Sequence, residues 1–169
     1  MKPYIHLSVI LIAASLGGCA KSSTQELSDN KAVVLRSEAE LWSKGDLTVA
    51  DELYSPDFVC HFVVGPEWRG LEGIKGEVRS HRTSFPDWHE RVDDIIAEGD
   101  RVVIRFTSTG TQLGEFLGIP PTGRKVSIQE VAIFRVVDGK IVEQWGMPDI
   151  QGLMEQLKAT NTEIGQSQQ

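Results

Sequence analysis

The sequence predicts an α+β domain in which helices grouped towards the front of the chain pack on an antiparallel sheet. Apolar residues recur at helical spacing in three early segments, and after residue 86 the pattern changes to strand-like runs. Gly99-Asp100 and Asp138-Gly139 then stand between neighbouring runs as tight-turn signals, so those strands read as a meander. At 169 residues the chain has room for one domain with short extensions. Its 17 Lys+Arg against 24 Asp+Glu, a net charge of −7, argue against a nucleic-acid binder, which needs a basic surface to displace counterions.

The first residues read as a leader. Lys2 gives a positive start, Ile5 to Leu16 is largely apolar, and Gly17, Gly18 and Cys19 follow. The ending Leu16-Gly17-Gly18-Cys19 resembles the bacterial lipobox, which implies cleavage before Cys19 and lipidation of its thiol. The expected layout is a lipoprotein signal peptide over 1–18, a polar tether over 19–28, a domain over 29–160 and a disordered tail over 161–169. The expected location is the cell envelope, lipid-anchored, on the periplasmic face of the outer membrane where the cell has two membranes. With Cys19 lipidated, Cys60 has no intramolecular disulfide partner and reads as a small buried hydrophobe.

Asp29 can cap a helix running to about Lys44, with Leu35, Ala39 and Trp42 on one stripe and Gly45 as its stop. Asp46 can cap a second short helix, ended by Pro56. Residues 57–64 read as a strand closed by Gly65-Pro66. Residues 71–84 read as a helix with Ile74, Val78 and Phe85 on its buried face, stopped by Pro86. Strands are expected over 88–98, 101–109, 126–136 and 140–147, and a last helix over 150–157.

Phe85-Pro86-Asp87-Trp88, Ala97-Glu98-Gly99-Asp100-Arg101, residues 114–123 and residues 134–143 together resemble the SnoaL-like polyketide cyclase (ester cyclase) family over about residues 29–158. The resemblance implies a nuclear-transport-factor-2-like cone: a curved antiparallel sheet wrapped on the N-terminal helices, with an internal pocket. It implies an intramolecular aldol closure without metal or cofactor, and a homodimer through the convex face near residues 101–109 and 126–136. The family's Glu-His-Trp-Asp motif, whose Asp is the acid/base, here reads Glu143-Gln144-Trp145-Gly146, and a further pocket His falls on Ala132.

With those groups absent, the expected catalytic residues are Glu130, His61 and Arg105, with Gln144, Trp145 and Asp149 binding in the pocket. Each has a plainer reading: His61 as a core histidine, Arg105 and Glu130 as solvated mid-strand charges or a structural pair, Asp149 as a helix cap. Trp42, Trp88 and Trp145 read by themselves as core or rim. His61, His81 and His89 lack metal-ligand spacing, so no metal is expected.

The turn at Asp138-Gly139 decides whether Glu130 reaches the pocket. A three-residue loop, 137–139, pairs Val136 with Lys140 and sets Glu130 opposite Gly146. A two-residue loop sets Glu130 opposite Met147, on the other face, because a one-residue slip inverts every side chain. The family's grouping of positions 132, 144 and 146 selects the first register and makes Glu130 the replacement acid/base, desolvated and with a raised pKa. The expected ligand is a small apolar or carbonyl-bearing molecule. Two functions stand: acid/base catalysis, or a non-catalytic module in the envelope that binds such a molecule or docks a partner.

Overall fold

The computed structural model describes residues 22–62 and 67–159. The expected signal peptide, Cys19, the Gly65-Pro66 stop and the expected tail at 161–169 lie outside the described residues. Helix α1 (Ser23–Arg36) starts from Ser22, whose hydroxyl accepts the Gln25 N–H at 3.2 Å, so the helix begins inside the segment expected as tether. After Arg36 it widens into a π-helical turn, Ser37–Trp42. Widening changes the residue-per-turn count and moves the buried stripe to Val34, Ser37, Glu38, Leu41 and Trp42. Leu35 and Ala39, expected on that stripe, are exposed. Gly45, at φ 73°, ends the helical segment as expected.

Helix α2 (Val49–Leu53) leads into strand β1 (Tyr54–Phe62), and β2 (Trp68–Arg69) precedes helix α3 (Gly70–Ser84). Ile74, Val78 and Phe85 are fully buried, as their spacing predicts. Strands β3 (His89–Glu98), β4 (Arg101–Thr111), β5 (Lys125–Val137) and β6 (Lys140–Pro148) follow, then helix α4 (Ile150–Lys158). The six-stranded sheet has the order β2-β1-β6-β5-β4-β3 and is curved and unclosed. Strands β3 to β6 form the expected antiparallel meander, but β1 pairs parallel to β6, so the sheet is mixed. That long-range pair leaves no mark in local turn signals.

Alternation fixes the two faces. Val102, Ile104 and Phe106 of β4 and Ala132, Phe134 and Val136 of β5 point to the concave side and form the core with Leu41, Phe58 and Ile74. Each large apolar side chain buried there contributes about 1.5–3 kcal/mol. Arg82, near the end of α3, ties the wall together. Its Nη1 donates to the carbonyls of Trp42, Ser43 and Trp88 at 3.0, 3.0 and 3.1 Å, and its Nη2 donates to that of Pro86 at 2.7 Å.

Candidate active site

The β5–β6 turn is the two-residue form. Asp138 and Gly139 have φ 50° and 73°, as a type I′ turn requires, and Val137 pairs with Lys140. The expected three-residue loop is therefore wrong, and alone this would turn Glu130 outwards. Val136 pairs with Ile141, but the next pair is Arg135 with Glu143, so Val142 is an extra residue that forms a bulge. The bulge restores the phase. Ala132 opposes Gly146 and Glu130 opposes Pro148, in place of the expected Ala132–Gln144 and Glu130–Gly146 pairs, and Glu130 still faces the cavity.

The cavity lies between α3, the π-helical turn and the concave face, and has two lobes. The inner lobe, about 80 Å³, is walled by Trp42, Phe106, Glu90, Ala132, Gln144 and Gly146. The outer lobe, about 250 Å³, is walled by Phe116, Leu117, Ile128, Pro148, Ile150 and Leu153. Glu77, His81, Trp88 and Glu130 border both lobes and mark their junction. Burial, with the Glu90 carboxyl nearby, pushes Glu130 up to about 8, against the Ser108 hydroxyl that donates to its Oε1 at 2.5 Å.

The other expected site residues are elsewhere. His61 points to the convex face, since its neighbours Cys60 and Phe62 take the concave positions. Its ring lies between carboxylates, Nδ1 2.8 Å from Glu67 and Nε2 2.9 Å from Glu143, and these hydrogen bonds raise its pKa. Trp145 stacks on His61 at 5.3 Å and carries the Arg101 guanidinium 4.8 Å from its ring, also outside the cavity. Arg105 pairs with Asp94 and Asp93 at the surface and does not meet Glu130. Asp149 is the cap of α4, accepting the Gly152 N–H at 2.8 Å. Only Glu130 and Gln144 of the expected set reach the cavity. Cys60 is fully buried with its thiol pushed up by burial to about 12, the inert state expected of it.

Sequence reasoning missed His81, Glu77, Glu90 and Glu38. His81 follows Val78 by three residues and precedes Phe85 by four, so it lies on the buried stripe of α3, and helical spacing was the available signal. Burial lowers its pKa to about 4, keeping the imidazole neutral, and its Nε2 has no hydrogen-bond partner. Glu90 shares the face of Trp88, whose Nε1 donates to it at 3.0 Å. Glu38 lies beneath, in hydrogen-bond contact with Glu90, and burial raises both pKa values. Glu38 Oε1 and Glu90 Oε2 have no N–H or O–H partner, and one proton held between the two carboxyls accounts for both. Trp42 and Trp88, read as core or rim, are cavity walls. Among the described residues no group of three or more His, Cys, Asp or Glu is placed to hold a metal ion.

The curved sheet and its helices enclose a cavity with Glu130 buried in its wall, and the comparisons give the family. Residues 32–157 match the SnoaL-like polyketide cyclase family. The chain belongs to that family. It is 44% identical over 78 residues to the nogalonic acid methyl ester cyclase of Streptomyces nogalater, a match covering 45% of this chain and 58% of that one. The matches to curated ester cyclases span between 48% and 66% of those proteins' lengths. Among solved structures, a candidate SnoaL-like polyketide cyclase from Jannaschia sp. CCS1 superposes with a TM-score of 0.75 at 30% identity, covering 85% of this chain and 99% of that one. AclR, a candidate hydroxylase from Streptomyces galilaeus, superposes at 0.68 with 34% identity, covering 78% and 96%.

Proposed function

We propose that the protein catalyses proton transfer at a small carbonyl compound, without a cofactor, using Glu130 as the acid/base. The supporting observation is the position of Glu130 at the junction of the two lobes, on the same face as Gly146, where the family carries its Asp. The ionised carboxylate takes a proton from the carbon next to a carbonyl. His81 Nε2–H, in a neutral ring, donates to the resulting enolate oxygen. The enolate carbon then attacks a second carbonyl of the same molecule, a C–C bond forms, and the new alkoxide takes the proton back from Glu130. The net change is an isomerisation, as in the ester cyclases.

Size bounds the substrate. Ligand cavities commonly span roughly 300–1,000 Å³, and lobes of about 80 and 250 Å³ favour a molecule at the small end of that range. The test is proton–deuterium exchange next to the carbonyl of small aryl ketones, together with ring closure of aklanonic acid methyl ester and of shorter diketones. Exchange is expected to rise about tenfold per pH unit up to about 8 and then level off, because the base acts ionised. Glu130→Gln is expected to lower it at least a hundredfold. A second reading, a binding module without turnover, draws on the Phe62 ring that packs where a side chain at Gly146 would stand. Saturable binding with no exchange at any pH favours that reading.

The lipobox resemblance further supports attachment to the cell envelope through Cys19. Cys19→Ser is expected to move the protein from the membrane to the soluble fraction, and retention in membranes after a high-salt wash overturns the anchor.

A further inference from the structure

The inner lobe is lined by hydrogen-bond acceptors with no cation to meet them. Glu77, Glu90 and Glu130 border it, and among the described residues no Lys or Arg lines either lobe. Gln144 is only 7% exposed, yet its Oε1 has no hydrogen-bond partner. A buried acceptor left unmet is costly, so a donor belongs in this space. The indole rings of Trp42, Trp68 and Trp88 also line this lobe, and aromatic faces attract cations. A carboxylate on a ligand finds no cation here, and an apolar end would leave Gln144 unmet.

Resting on the reading of Glu130 as the reacting group, we propose that the inner lobe binds the ammonium group of the substrate, with its apolar, carbonyl-bearing body in the outer lobe. The N–H groups donate to Gln144 Oε1 and to the Glu90 carboxyl, and the charge lies against the indole wall. Glu130, at the junction, is left to meet the carbonyl. The titratable groups facing this space are Glu90 and Glu130 from the sheet, Glu77 and His81 from α3, and Glu38 behind Glu90. Burial raises the pKa of Glu38, Glu77, Glu90 and Glu130, and an arriving cation offsets that rise, so binding expels a proton.

The probes are benzylamine, benzyl alcohol and benzoate, three molecules of nearly one shape that differ in charge. Binding to the purified protein is followed at pH 7.5 by tryptophan fluorescence, and by calorimetry in two buffers of different ionisation enthalpy. Benzylamine is expected to bind at least tenfold more tightly than benzyl alcohol and to release protons, with benzoate weakest. Glu90→Gln is expected to remove the preference for the amine, and Gln144→Met to reduce it by a second route should the first variant fold poorly. Equal binding of amine and alcohol, or no binding of the amine, overturns the proposal. These readouts report occupancy and not turnover, so exchange on neutral ketones can stand while the ammonium subsite falls, and the reverse.

Discussion

Phe62 and Gly146 oppose one another across the parallel β1–β6 pair, and each limits what the other can be. A Cβ at position 146 would stand 3.0 and 3.1 Å from the ring carbons of Phe62, closer than ordinary contact. The ring is itself stacked on Trp68 at 5.1 Å, so it does not swing away freely. Gly146→Asp is therefore expected to cost about 1–3 kcal/mol from overpacking without restoring family chemistry. Phe62→Leu combined with Gly146→Asp is expected to recover most of that stability. Urea unfolding of the parent and the two variants measures both effects, and a single substitution as stable as the parent overturns the account. At this scale the sequence exposed Glu130, because the family pattern drew attention to its neighbours. Glu38 and Glu90 stayed hidden, since lone carboxylates in amphipathic segments read as solvated surface.

Arg82 shows how elements hold the cavity open. It joins the carbonyls at the end of the π-helical turn, at the end of α3 and at the entry to β3, the segments that carry Trp42, His81 and Trp88. A lysine offers a compact point charge in place of a planar fork. Arg82→Lys is expected to cost about 1–3 kcal/mol by leaving partly buried carbonyls unmet, and to weaken ligand binding through displaced indole walls. Thermal unfolding with and without ligand measures the two losses. Most elements were legible, because glycine stops and alternation are local signals, but two caps were misplaced: Ser22 and Thr48 start the helices expected to start at Asp29 and Asp46. The π-helical turn was not, because it is a change of winding inside an uninterrupted helical pattern. Nor was the Val142 bulge, since residues 140–147 alternate well enough to read as a plain strand. The facing of Glu130 came out correctly from a wrong turn length, because the family constraint on positions 132, 144 and 146 already contained the effect of the bulge.

Across the whole molecule, the convex face carries a cross-strand row: Ile96, Val103, Ile133, Trp145 and His61, each paired with the next. Ile96 is 67% exposed, so part of this row faces water in the isolated chain. Apolar side chains in line across a sheet are a ready surface for a second copy, and the row lies on the face where the family resemblance puts a dimer. Ile133→Asp sets a charge at its centre and is expected to shift a sedimentation profile from dimer to monomer while leaving the concave site folded. A wild-type profile that is monomeric at about 50 µM, where a standard interface would hold, overturns this expectation. Arg105, Asp93 and Asp94 ring the edge of the row with paired charges, which fixes one side of any contact.

The residue at Val142 gives the last hairpin a parity. Between the turn and Gln144 the strand holds an odd surplus, and that surplus alone keeps the even-numbered positions of β6 looking inwards. Flattening the bulge while keeping the residue would slip the pairing by one and exchange inside for outside along the rest of the strand, turning Gln144 out and Trp145 in. Removing Val142 itself would leave every pair from Arg135–Glu143 onwards unchanged, so that deletion is expected to straighten the strand and keep Gln144 inside.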